Sequence, residues 1–291
     1  MPELPEVEVT RRRLVPMLVG RVIECVETTK DSYFFLTKPD VLKQRLRGRT
    51  VLELKRLGKY LLAELDDGDR LLLHLGMTGQ LFSSAVSSVR LFSAKTRSSL
   101  APEALREFKA DAHTHLSLHF EDGGPSVLFR DVRKFGKVQL IRAGSDDPRL
   151  DKLGVDALSA NGQSLFTAAR ARKIPIKSLL LDQGVIAGIG NIYADEALFL
   201  AKVRPTRSAR RVTARECQAI VSAAKRVMER SIETGGSSIS DYVTPDGSDG
   251  GYQNERKVYA RKGLACLVCK TPIRRVVIAT RSTHYCPQCQ V

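Results

Sequence analysis

The chain has 291 residues, enough for two domains or for two and a small appendage, and its 43% hydrophobic content supplies packed cores. No apolar run approaches the ~18 residues of a membrane span, which excludes a helix crossing a bilayer. A net charge of +15 and a pI near 9.8 point to a polyanionic partner.

The first element predicted is a helix from Glu3 to about Met17, opened by Pro2-Glu3-Leu4-Pro5-Glu6. Proline fits the first helical turn and acidic residues suit its positive end, so a plain helix start explains these residues structurally. A chemical reading stands beside it. Once Met1 is removed, Pro2 is a secondary amine that can attack an electrophilic carbon and form an iminium, as lysines do in Schiff-base enzymes. An α-amino group titrates near ~8 against ~10.4 for lysine, so more of it is nucleophilic at neutral pH. Glu3 is placed to exchange protons with whatever Pro2 attacks, and Glu6 to support the turn. While Met1 remains attached, the Pro2 nitrogen is an amide and cannot react.

Short apolar runs follow at Arg21–Thr28, Tyr33–Leu36, Thr50–Leu57, Tyr60–Leu65 and Arg70–Leu75, separated by turns such as Asp66-Asp67-Gly68-Asp69. His115–Phe120, Ser126–Arg130 and Lys137–Ile141 complete a half that reads as a hairpin-built sandwich or barrel. Ser83 to about Ala110 is rich in Ser and Ala and reads as a surface insertion with one short helix at Pro102–Lys109. Ala143–Arg149 reads as a connection. The second half is predicted helical over Ser164–Arg170, Ile176–Leu181, Asn191–Leu200 and Thr213–Ile232. Gly184, Gly188 and Gly190 break the middle pair into helix, two turns, helix. Gly235-Gly236 ends the long helix, and Gly247–Gly251 forms a glycine-rich loop.

The chain closes with Cys266-x-x-Cys269 and Cys286-x-x-Cys289, sixteen residues apart, within the spacing of a four-cysteine zinc site. Four thiolates fill a tetrahedral shell, so one zinc there is structural. Two disulfides are the rival. The opening residues carry no signal-peptide pattern, which favours a reducing, cytoplasmic setting and zinc. Cys25 and Cys217 read as core or surface thiols. From Gly250 to Val291 the only acid is Glu255, against eight Lys and Arg residues, as phosphate binding would require.

Several further residues have a structural and a functional reading. Lys59, in Gly58-Lys59-Tyr60, is either an exposed strand lysine or a partner for a phosphate or for the N-terminal site. Asn191, after Gly188-Ile189-Gly190, is either an ordinary cap or a phosphate holder at a helix start. Arg281, between the cysteine pairs, is either a surface residue or a cation at a hairpin tip that reaches DNA. Met77, in Gly76-Met77-Thr78-Gly79, and Phe135, in Arg133-Lys134-Phe135-Gly136, are either core residues or apolar wedges of the kind that enter a base stack.

Together these residues resemble the formamidopyrimidine-DNA glycosylase family. The likeness runs nearly end to end, through Pro2–Glu8, Leu57–Leu61, His74–Gly79, Arg130–Gly136, Pro175–Leu181, Ala187–Leu198, Gly235–Tyr242, Val258–Gly263 and the four cysteines. The resemblance implies an α+β multidomain fold. An N-terminal β-sandwich with its helix covers 1–143, a helix–two-turn–helix domain 150–235, a lesion-covering loop and connector 236–262, and a zinc finger 263–291. Double-stranded DNA with oxidised bases or abasic sites would lie in the cleft between domains of a monomer. Pro2 would attack C1′ and expel the base, Glu3 would protonate the sugar, and β- and δ-elimination would nick the strand. The resemblance makes Lys59, Asn191 and Arg281 phosphate holders around the lesion, and Met77, Arg133 and Phe135 fillers of the vacated stack. It puts Lys177 near the damaged base or its backbone. Leu4 matches the branch acting on 8-oxoguanine and formamidopyrimidines, where the endonuclease VIII branch, directed at oxidised pyrimidines, has Gly. Ser240 stands where many members carry Lys or Arg, Tyr252-Gln253 departs from a commoner aromatic pattern, and the 83–110 insertion is longer than usual. A DNA-binding protein without catalysis is the rival from another class.

Overall fold

The computed structural model describes residues 2–86, 110–238 and 242–291. The chain divides into two compact units, one of residues 1–147 with 234–251, the other of 148–233 with 252–291.

In the first unit, α1 (Leu4–Leu18) is followed by β1 (Ile23–Thr28), α2 (Pro39–Leu46), β2 (Val51–Leu57), β3 (Tyr60–Leu65), β4 (Arg70–His74), β5 (Gly79–Ser83), β6 (Thr114–Phe120), β7 (Val127–Asp131) and β8 (Lys137–Ile141). They form two four-stranded antiparallel sheets, ordered β2-β3-β4-β8 and β1-β6-β7-β5. One core lies among both sheets and the helices, joining Leu54, Leu61 and Leu73 of one sheet to Val26, Leu118 and Phe129 of the other, with Leu14 and Leu18 of α1 and Leu42 and Leu46 of α2. Burying each such side chain contributes about 1.5–3 kcal/mol. This is the expected sandwich with its helix.

Three local expectations change. Tyr33–Leu36 is a turn rather than a strand: Phe35 makes a single bridge to Val138. Phe34 is fully buried and packs edge-on against Phe129. The apolar run there is a plug for the core, not a ladder. α2 falls outside the predicted elements, because Leu42 and Leu46 alone give too short a periodic signal. Ser83, expected to start the insertion, instead ends β5, paired with Val127. Residues 87–109, with the expected short helix, lie outside the described residues, as does Ser240.

Segment 234–251, which overlaps the expected lesion-covering loop and connector at 236–262, folds with the first unit. Ser237 N–H donates to Glu6 Oε1 at 2.9 Å, Ser83 N–H donates to the Pro245 carbonyl at 3.3 Å, and Arg13 pairs with Asp246 at 2.7 Å.

The second unit holds α3 (Pro148–Asp151), β9 (Val155–Asp156), α4 (Gly162–Arg170), α5 (Ile176–Leu180), β10 (Ile186–Ala187), α6 (Asn191–Leu200), α7 (Ala214–Glu233), β11 (Arg274–Ile278) and β12 (Arg281–Tyr285). α7 packs on both α4 and α6. Its buried stripe of Cys217, Ile220, Ala224, Val227 and Met228 follows helical spacing. The limits of α4 to α7 agree with the sequence reading to within two residues, whereas the short α3 begins inside the stretch read as a connection. Among the described residues no helix is long and apolar enough to cross a membrane.

Candidate active site and zinc centre

The N-terminus is fastened by its own helix. Pro2 is buried and Glu3 is 2% exposed. Glu3 occupies the N-cap of α1, and its backbone N–H donates to Glu6 Oε2 at 2.8 Å. The other Glu6 oxygen takes Ser237 N–H, and the Glu6 carbonyl accepts from the Tyr242 hydroxyl at 3.2 Å. Burial, then the charge of Glu6, push the Tyr242 hydroxyl well above its usual range, which keeps it a donor. Gly236 has φ +87° and no room for a side chain: a Cβ there would stand 2.9 Å from Tyr242 Cε1. Glu6 therefore does more than support a turn. It joins Pro2-Glu3 to Ser237 and Tyr242.

Lys59 lies between β2 and β3 and is 8% exposed, which removes the reading as an exposed strand lysine. Burial, followed by the positive charges of Lys59 and Lys137, lowers the His74 imidazole to about 4. Neutral His74 accepts the Gly76 N–H on Nδ1 at 3.2 Å, so its proton sits on Nε2.

Met77, Arg133 and Phe135 occupy two adjoining turns. Met77 is half-buried, Arg133 is exposed and Phe135 is 41% exposed. The Arg133 guanidinium stacks 4.5 Å from the Phe135 ring centroid. A Cβ on Gly76, at φ +62°, would come within 2.4 Å of the Phe135–Gly136 backbone, so glycine is what lets the two turns meet. Phe135 is not core, which removes its structural reading. Asp131, which closes β7, accepts hydrogen bonds from both turns. It lies inside the Arg130–Gly136 motif, yet the sequence alone assigns it no role. An Asp followed within five residues by an Arg, an aromatic and a Gly is a turn signature that could have drawn notice.

In the second unit, Gln183 shapes the turn ahead of Asn191. Its side-chain amide donates to the Leu181 and Ile189 carbonyls at 2.9 Å, and its oxygen accepts Gly188 N–H at 2.9 Å. Asn191 is half-buried at the first turn of α6, and its Oδ1 has no hydrogen-bond partner among the described residues. Arg281 is exposed at the start of β12 and pairs with Ile278 across a two-residue turn. Both turn residues, Ala279 and Thr280, have positive φ, as a tight hairpin of this hand requires.

Lys177, which the resemblance puts near the damaged base or its backbone, is enclosed within the second unit. It is 0% exposed and has no surface to offer DNA. Its ammonium pairs with Asp195 Oδ1 at 2.7 Å and donates to the Ser282 carbonyl at 3.0 Å and Thr283 Oγ1 at 2.9 Å. Asp195 Oδ2 takes His284 N–H at 2.7 Å. Lys177 of α5 and Asp195 of α6 thus hold the strand that begins with Arg281. Beside them Glu196 accepts the N–H groups of Lys257, Val258 and Tyr259 at 2.8–2.9 Å; burial raises its pKa while those bonds oppose the rise. The sequence showed neither acid's role, because the partners come from distant segments.

The four cysteine sulfurs lie within 4.8 Å of one another. Cys266 and Cys289 Sγ are 3.9 Å apart and Cys269 and Cys286 Sγ 3.4 Å, close to the ~3.8 Å edge of a tetrahedron with Zn–S of ~2.3 Å. Val268 and Cys289 N–H point at Cys266 and Cys286 Sγ at 3.4 Å, as donors to thiolates do. All four are unbridged. The donor set fits one structural zinc and not the disulfide alternative.

Three family models match the chain: the formamidopyrimidine-DNA glycosylase N-terminal domain over residues 1–138, the H2TH domain of the same enzymes over 153–243, and the zinc finger found in FPG and IleRS over 263–291. The formamidopyrimidine-DNA glycosylase of Solibacter usitatus is 40% identical over 291 residues, covering 100% of this chain and 99% of the relative. The crystal structure of the MutM (Fpg) protein from Thermus thermophilus is similar with a TM-score of 0.83 at 38% identity, covering 99% of this chain and 98% of that one. A MutM in complex with DNA containing carbocyclic 8-oxo-G matches with a TM-score of 0.84 at 32% identity over 99% of both chains. With an N-terminal Pro-Glu pinned at the start of α1, a four-sulfur centre at the other end, and relatives matching from end to end, the chain belongs to the formamidopyrimidine-DNA glycosylase family.

Proposed function

We propose that the protein is a bifunctional DNA glycosylase and abasic-site lyase for oxidised purines, with Pro2 as nucleophile. The observation that carries the reading is the buried Pro2-Glu3 pair, fixed by the Glu3 N–H bond to Glu6 at 2.8 Å. A nucleophile held in place avoids the entropic cost of finding its target in each encounter. After Met1 is removed, the Pro2 nitrogen lone pair forms a bond to C1′ and the C1′–base bond breaks, the departing base taking up the proton that the proline nitrogen releases. A proton from Glu3 lets the sugar C1′–O4′ bond open, leaving an iminium between Pro2 and C1′. Loss of a C2′ proton then expels the 3′ phosphate, and a second elimination expels the 5′ phosphate.

Lys59, Asn191 and Arg281 grip phosphates in this reading, and Met77, Arg133 and Phe135 enter the stack the flipped nucleotide leaves. Unstacking costs a few kcal/mol, which the phosphate contacts offset. One chain carries all of these parts, so the enzyme is proposed to act as a monomer. The relatives crystallised with Fapy-dG and with an 8-oxo-G analogue support a purine lesion.

Borohydride trapping of Met1-processed protein on a duplex with one 8-oxoguanine opposite cytosine tests the reading. Wild type should give a covalent protein–DNA product, and Pro2→Gly and Glu3→Gln should reduce it by at least about a hundredfold, the scale of a lost nucleophile or acid–base group. Trapping with an oxidised pyrimidine alone would move the protein to the endonuclease VIII type of specificity. Tight binding with no trapping on any lesion or abasic site would leave a DNA-binding protein without catalysis.

A further inference from the structure

We propose that Asp131 is a positioning residue that locks Met77, Arg133 and Phe135 into one preformed wedge. The inference rests on the functional reading above, in which these three side chains fill the stack. Asp131 is 0% exposed and touches no surface that DNA can reach. Its Oδ1 accepts the Thr78 hydroxyl and, at 3.2 Å, the Arg133 N–H. Its Oδ2 accepts Gly136 N–H at 2.6 Å. Thr78 Oγ1 also accepts the Arg133 N–H at 3.2 Å. One carboxylate therefore ties the residue next to Met77 to the backbone on both sides of Phe135.

The geometry requires such a tie. Lys134, between Arg133 and Phe135, has φ +56°, a left-handed conformation that residues other than glycine seldom adopt. The two bonds to Asp131 flank this residue and impose it. Asp131 is itself immobile: its backbone N–H donates to the His113 carbonyl at 2.9 Å, and its own carbonyl accepts the His115 Nε2–H at 3.0 Å. Tyr33 adds a hydroxyl donated to the Arg133 carbonyl at 2.7 Å. A wedge built in advance loses little conformational freedom when it enters a stack. Asparagine cannot replace the aspartate, because its NH2 would face one of the N–H or O–H donors.

The test compares duplex DNA carrying 8-oxoguanine with a single-stranded oligonucleotide carrying an abasic site, which has no stack to fill. The full-length, Met1-processed, zinc-loaded protein is used. Asp131→Asn should slow single-turnover excision from the duplex roughly ten- to hundredfold, the loss expected for hydrogen bonds to a charged group. Borohydride trapping on the single strand should stay within about twofold of wild type. Adding Asp131→Asn to Phe135→Ala should cost little beyond the worse single variant, since both act through one wedge. Thr78→Val should repeat the duplex defect and Thr78→Ser should rescue it, which keeps the test decisive if Asp131→Asn folds poorly. Equal losses on both substrates, or losses that multiply in the double variant, would overturn the inference while leaving the catalytic reading intact. A wild type that traps neither substrate would overturn the catalytic reading itself, and the wedge with it.

Discussion

Glu8 shows how a single side chain can be set by its neighbours. It is 6% exposed and collects Arg11, Arg12 and Arg56 at 2.8–3.0 Å, tying α1 to β2. Burial alone would raise its pKa, but the hydrogen bonds and charges of the three arginines lower it from 4.5 to about 2. A depressed carboxylate stabilises the fold above its unfolded pKa and loses that contribution as pH falls through its folded one. Glu8→Gln should therefore cost about 2 kcal/mol at neutral pH, in the range for hydrogen bonds to a charged group. The gap between variant and wild type should close as pH falls from about 4.5 to about 2. Urea titrations across that range check it, and a gap unchanged at pH 2 would mean that the arginine cluster is not what Glu8 contributes. Features set locally were legible in the sequence: the helix start at Pro2-Glu3 from its residue types, the cysteine cluster from its spacing. Lys177 and Asp131 were not, because the groups that define them arrive from other segments, as Asp195 and Thr283 do for Lys177 and Thr78 does for Asp131.

Among the elements, those with a long periodic signal were read from sequence with their limits nearly right, as α7 was from its stripe of Cys217, Ile220, Ala224 and Met228. The short ones were not. α2 offers two apolar positions, Leu42 and Leu46, and its place depends on the core it meets. The Tyr33–Leu36 run looks like a strand because Phe34 and Phe35 are both buried, yet what buries them is aromatic packing with Phe129 and with each other. The zinc ribbon depends on a different source of order. Its strands β11 and β12 are half exposed, with Val277 at 63% and Val268 nearby at 71%, so its apolar core is small. Structural zinc supplies about 10–16 kcal/mol in comparable small modules. Cys286→Ser should abolish the single bound zinc and weaken duplex binding at least about tenfold, because Arg281 loses its hairpin, while the first unit's strand content persists by circular dichroism. A variant that keeps zinc and full affinity would show that three thiolates suffice.

For the molecule as a whole, charge is the governing property. An excess of +15 over 291 residues makes non-specific attraction to DNA strong at low salt. Affinity for duplex should fall about a thousandfold between 50 and 200 mM salt if roughly six phosphates are neutralised, with a slope near −0.9 per phosphate on logarithmic axes. Fluorescence anisotropy titrations give that slope, and a flat response would refute a grip founded on counterion release. Sequence composition disclosed this property completely, since charge needs no fold to be counted. How the chain is divided was less visible, because 234–251 folds with the first unit although the whole of 148–233 intervenes.

That return has a consequence for synthesis. Glu6 finds its partners at Ser237 and Tyr242, more than 230 residues later in the chain. Ribosomes add about 5–20 residues per second, so the surroundings of Pro2 stay incomplete for on the order of ten seconds or longer after it is made. During that interval Pro2-Glu3 lacks contacts that hold it in the finished fold, so on the proposed reading its amine is not yet organised to attack DNA. On the proposed reading, the N-terminal site is complete only once residue 242 has been made.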